Sequence, residues 1–187
     1  MRQKLFLLLV VTLVFAVGTT VWAEEGEWLQ TGTSFDPLFK DVHIACQGVS
    51  TARGTLSKVY SGSREIANLH GIKEKCTDIE MLDALGNRRS ELTKEQLSYF
   101  GNALGSLGTA TLQAKTSLKA CQRLQPKLQE AIEKAPEELA TQPFKAIKVV
   151  KNLKKSSVQI KNASKEGTVL VGELAKVTPL VQKIVGQ

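Results

Sequence analysis

Aromatic rings make up 5% of this 187-residue chain, and beyond residue 23 they are Trp28, Phe35, Phe39, Tyr60, Tyr99, Phe100 and Phe144 alone. Stacking of single-stranded nucleic acid needs rings set within a basic tract. The basic stretch from Lys145 to Gln187 has none, so no nucleic-acid partner is expected. Catalytic signatures are missing as well. There is no G-x-S-x-G elbow, no P-loop and no dinucleotide glycine fingerprint, and no C-x-x-C-H haem attachment motif. The glutamates that cluster, Glu130/Glu133 and Glu137/Glu138, have the spacing of a solvated helix face. The chain is therefore expected to be no enzyme and to carry no cofactor. Strand-like alternation and Asn-Gly hairpin signals are absent too, which leaves an all-α fold.

What is present begins with a targeting segment. Arg2 and Lys4 form a positive head, Leu5 to Val17 an uncharged apolar core, and Val21-Trp22-Ala23 a small-x-small cleavage signal. Residues 1–23 thus read as a cleaved signal peptide, and the protein as exported to a periplasm or the cell exterior. Residues 24–35 lack periodicity and read as an extended strap. Residues 36–187 are long enough for one domain with its own core.

Within that domain Asp36-Pro37 signals a helix start, with an acidic N-cap followed by a proline that has no amide hydrogen to lose. Leu38, Val42, Ala45/Cys46, Val49, Ala52, Leu56 and Val59/Tyr60 then recur at spacings of three and four. Ser61-Gly62-Ser63 predicts a break, with Ser63 capping a second helix whose stripe is Ile66, Leu69, Ile72, Cys76, Ile79, Leu82 and Leu85, closed by Gly86. Thr93-Lys94-Glu95-Gln96 is a capping box that opens a long third helix, which Pro126 is expected to kink or restart. Further starts are expected at Ala135-Pro136 and Gln142-Pro143. Gly167 is expected to interrupt the stripe that follows, whereas Pro179 falls on the side opposite the last apolar stripe, where water can meet its missing hydrogen bond, and a kinked terminal helix is expected there. The sum is an up-and-down antiparallel bundle of four to five helices.

Cys46 and Cys76 each lie 15 residues from Ser61. Antiparallel helices meeting there would place the two sulfurs side by side, and an oxidising compartment would join them. The helix-one/helix-two hairpin is therefore expected to be braced by a Cys46–Cys76 disulfide. The same level would gather His43, Cys46, Cys76 and Glu80, donor types that suit zinc or copper. The bridge consumes both sulfurs, so no metal site is assigned to these candidates.

Charge is unevenly placed. Residues 145–187 hold nine lysines against Glu166 and Glu173, whereas 24–144 carry a net −2. Lys145, Lys148, Lys151, Lys154, Lys155, Lys161 and Lys165 surround one apolar stripe with no acid among them, the pattern of a helix drawn to an acidic protein partner or an anionic envelope surface. The opposite extreme is Gln96 to Ala114, 19 residues without a charge. Its Gly101, Gly105 and Gly108 suggest close helix packing.

The reading is an exported, non-catalytic helical-bundle protein for binding or scaffolding, with peripheral membrane contact allowed. One alternative is a membrane-active protein that inserts residues 96–114. Another is a metal or small-ligand carrier built in the bundle core.

Overall fold

The computed structural model describes residues 30–72 and 75–186. The expected signal peptide and residues 24–29 of the strap lie outside the described residues. Four α-helices and one 3-10 turn make up the rest: α1 Asp36–Leu69, α2 Asp78–Asn87, the 3-10 turn Arg89–Glu91, α3 Lys94–Glu138 and α4 Pro143–Val185. No strand occurs among the described residues. The all-α helical bundle expected from the sequence is the observed fold.

The core follows from a seven-residue repeat. In α3 the buried positions are Phe100, Ala103, Leu107, Ala110, Ala114, Ser117, Cys121, Leu124, Leu128, Ala131 and Ala135. In α4 they are Val149, Leu153, Ser156, Ile160, Ala163, Gly167, Leu170, Leu174, Val177, Val181 and Ile184. Both series alternate steps of three and four without a slip. A repeat of 3.5 on a helix of 3.6 residues per turn keeps its seam facing a partner only if the helices wind around each other left-handedly. α3 and α4 share the most extensive interface. Each fully buried Leu or Ile in it contributes about 1.5–3 kcal/mol. Small residues are interspersed in both rows, and at Gly167 a Cβ would already stand 3.4 Å from Leu118 and 3.5 Å from Val49. Gly167 is therefore a core position where three helices meet and does not interrupt α4.

Contacts fix the directions. Ser34 reaches Glu138 at 3.3 Å, Gly48 faces Ser117, and Tyr99 donates to the Val59 carbonyl at 3.1 Å, so α1 runs antiparallel to α3. Val49 of α1 lies beside Gly167 of α4 and Tyr60 donates to Glu173 further along, which makes α1 parallel to α4. The short α2 packs on the C-terminal end of α4, where Lys183 donates to Asp83 at 2.9 Å and Asn87 at 2.7 Å.

The expected break at Ser61-Gly62-Ser63 does not occur. α1 runs through it for 34 residues, with Ser63 buried and Gly62 half-buried beneath the Tyr99 ring. The helix ends instead at Gly71, whose φ of +67° only glycine adopts freely. Gly71 donates to the Asn68 carbonyl and Ile72 to that of Ala67, the two bonds of a Schellman stop. Thr77 then restarts the chain with a capping box on Glu80.

This overturns the expected brace. No cysteine pair lies at disulfide distance. Cys46 is on α1, whereas Cys76 falls in the link to α2. Asp78, two residues past Cys76, pairs with Arg64, which is 18 residues and about 27 Å along α1 from Cys46 at 1.5 Å per residue.

Neither Pro126 nor Pro136 restarts a helix, and Pro179 lies inside the last one, as its position opposite the apolar stripe implies. α3 continues past Pro126 and Pro136, and α4 past Pro179, because all three rings are exposed. The carbonyls that lose a donor, on Gln122, Ile132 and Ala175, lie outside the buried rows and can turn to water. Pro143 does open a helix, as expected.

At the other end of α1, the Asp36 carboxylate does not cap its own helix. It reaches back to the Thr31 amide at 2.8 Å, the Thr31 hydroxyl at 2.6 Å and the Gly32 amide at 2.9 Å. Burial alone would raise its pKa, but these bonds outweigh that and hold the carboxyl below the usual aspartate value. The end of the strap is thus pinned to the first turn of α1.

Candidate functional site

The residues singled out for metal binding do not converge. His43 and Cys46 are half-buried on α1, Cys76 lies in the link, and Glu80 is exposed. Glu80 is occupied in the capping box, accepting from the Thr77 amide at 2.8 Å and the Thr77 hydroxyl at 2.9 Å. These bonds lower its pKa. Among the described residues no group of three or more His, Cys, Asp and Glu could hold a metal ion. Cys121 is fully buried in the α3 core row, and burial pushes its thiol up, the setting of a structural cysteine and not of a nucleophile.

The uncharged stretch of α3 divides cleanly into two faces. Phe100, Ala103, Leu107, Ala110 and Ala114 are buried in the bundle. Gly101, Asn102, Gly105, Ser106, Gly108 and Thr109 form the exposed side, with Leu112 as its large apolar residue. A Cβ added at any of the three glycines would meet nothing within 4 Å. The close packing expected of them is supplied by alanines on the opposite face. No helix among the described residues is long and apolar enough to cross a membrane.

The lysine helix is where sequence and structure converge. Core positions of α4 recur through Val149, Leu153, Ser156 and Ile160, so the row directly opposite is reached by steps of seven from Phe144: Lys151, Val158 and Lys165. Ile147, Lys154 and Lys161 flank it on one side, and Lys148, Lys155 and Val169 on the other. All seven candidate lysines are exposed. Lys145, Lys148, Lys151, Lys154, Lys161 and Lys165 form no ion pair with the described residues.

Further along, α4 behaves differently. Glu173 accepts from Arg53 at 2.6 Å and from Tyr60 at 3.0 Å, and Glu166 faces Arg53 at 3.5 Å. Burial, together with Glu173, pushes the Tyr60 phenol up. Arg89 donates to the carbonyls of Ile184 and Val185 at 3.0 and 3.2 Å, closing the C-terminus of the helix. Glu166, Glu173 and Lys183 in the C-terminal half of α4 thus pair with neighbouring helices, while the N-terminal half turns its charge to solvent.

Lysines are also badly placed there for the helix itself. The N-terminus of a helix carries a partial positive charge and favours acids by about 0.3–1 kcal/mol each. α4 has no acid in its first turn and no side-chain cap, and Lys145 and Lys148 occupy its first two turns. The acids at the end of α3, Glu137 and Glu138, make no ion pair with them among the described residues. Helix stability does not account for this arrangement.

Sequence reading missed the exposed apolar members of the face. Phe144 is 88% exposed, Ile147 70%, Val158 60% and Val169 62%. The signal was the seven-residue spacing from Phe144 through Val158, which the apolar stripe on the core side obscures. Compared with family models, curated proteins and solved structures, the chain gives no significant match to any.

Proposed function

We propose that the protein is an exported, non-catalytic binding or scaffolding module that docks on acidic surfaces through the outer face of α4. The observation that carries this is the run of exposed lysines from Lys145 to Lys165, with no acid between them and, Lys155 aside, no ion pair to any described residue. Lysine in place of arginine suits diffuse attraction over shaped, bidentate recognition. Such attraction is screened over about 8 Å at physiological ionic strength, so docking is salt-sensitive. The rigid three-helix core supports the reading by holding the lysines in fixed rows, and export to an envelope or exterior rests on the targeting pattern of residues 1–23.

Poly-L-glutamate is a suitable probe. The protein is expected to bind it at low salt and to lose affinity steadily as salt rises. Lys151→Gln with Lys154→Gln weakens binding about tenfold, because each lysine at an anionic surface contributes about 1 kcal/mol or somewhat less. Equal affinity of the variant and the parent would remove the lysine face from the account.

A further inference from the structure

We infer that the surface docked on is an anionic phospholipid bilayer, with Phe144 and Ile147 entering the headgroup region. The inference rests on the docking reading above and narrows its partner. A purely electrostatic face would present lysines among polar residues. This one sets its most exposed large apolar side chains among lysines instead: Phe144 at 88% and Ile147 at 70%, then Val158 and Val169 beyond them.

Their positions suit a flat partner. Phe144 and Val169 are 25 residues apart, about 37 Å along α4 at 1.5 Å per residue, and both lie on the outward rows. The core rows face the opposite way, so α1 and α3 stand behind α4, and α4 itself carries no acid between Lys145 and Lys165. A bilayer touching the outer face therefore meets lysines and apolar tips. Lysine stems lie along apolar surface while their ammonium groups reach phosphate. Amphipathic helices of this composition settle in the interfacial plane with a strength set by buried apolar area plus attraction to anionic lipid.

The tip is also where an aromatic ring is least useful to the fold. Leu139 and Val149, on either side of it in the chain, are buried, and Pro143 at the first helical position fixes the turn. Phe144 adds nothing to that core. Its value is a partner outside the chain, and the charge around it selects an anionic one.

The test is vesicle flotation of the full chain with phosphatidylglycerol mixed into phosphatidylcholine, beside pure phosphatidylcholine and soluble poly-L-glutamate. The parent is expected to float with anionic vesicles and not with neutral ones. Phe144→Ser with Ile147→Ser lowers the partition onto anionic vesicles about tenfold and leaves both poly-L-glutamate binding and the melting temperature unchanged. Equal partition of parent and variant would overturn the insertion of the tip. Binding to poly-L-glutamate without binding to anionic vesicles would overturn the lipid surface and point to an acidic protein. Failure to bind either would overturn the docking reading itself.

Discussion

Gly62→Ala is expected to destabilise the protein by about 2 kcal/mol, although alanine is the better helix residue by about 1 kcal/mol. The reason is the Tyr99 ring. A Cβ at Gly62 would stand 2.6 Å from Tyr99 Cζ and 2.9 Å from Cε2, separations that atoms do not tolerate. The ring cannot yield in place, because its hydroxyl is bonded to the Val59 carbonyl at 3.1 Å and its edge meets Phe100 with centroids 5.2 Å apart. It must leave its seat between α1 and α3. That costs about 1–3 kcal/mol of overpacking strain and about 1 kcal/mol for the hydrogen bond, against which the propensity gain is smaller. Urea unfolding with an unchanged slope measures the difference. A variant more stable than the parent would mean that Tyr99 does not sit on Gly62.

The same chemical change has the opposite sign on α3. Gly101→Ala, Gly105→Ala and Gly108→Ala together are expected to stabilise by about 2–3 kcal/mol, a gain of about 0.8–1 kcal/mol for each glycine removed from a helix interior. All three are exposed, and a Cβ at each enters open space. At about 2–4 °C per kcal/mol for a domain of this size, the melting temperature rises by about 5–10 °C. A fall in stability would show that the glycine face is packed against something, a second copy of the chain being the first to examine.

Most of the helical architecture could be read from the chain. The apolar repeats of α3 and α4, the Thr93 capping box and the Pro143 start all follow from local chemistry, which the folded protein keeps because tertiary packing asks for the same faces. The outward lysines follow from the same spacing. The first turn was misplaced because two glycines compete for it. Gly62 and Gly71 look alike as letters, and only the backbone shows that Gly71 takes a positive φ while Gly62 makes room for a ring. Two neighbours carry the distinction: Ile72, the apolar residue that follows a Schellman glycine, and Thr77-x-x-Glu80, a capping box that restarts the chain.

Every conclusion about the cysteines depended on that turn. A hairpin at Ser61 brings Cys46 and Cys76 level, with His43 and Glu80 beside them; a turn at Gly71 separates them along α1. Pro126 and Pro136 turn on a related ground: a missing amide hydrogen breaks a helix where the carbonyl is buried and is tolerated where water can reach it, the reasoning that already keeps Pro179 inside the last helix. Phe144 precedes the apolar stripe that begins at Ala146, and its exposure is visible only once the core rows of α4 are fixed.

An unbroken α1 lying along α3 and α4 is what gives α4 a single outward face, so its continuity is the claim on which the rest depends. Spin labels on Ser50→Cys and Leu69→Cys, in a chain carrying Cys46→Ser and Cys76→Ser, measure it directly, since both sites are exposed and Cys121 is fully buried. Pulsed dipolar spectroscopy is expected to find attachment points about 28 Å apart, 19 residues of continuous helix at 1.5 Å each. A separation of about 10 Å, the spacing of two packed antiparallel helices, would contradict it and restore a turn at Gly62.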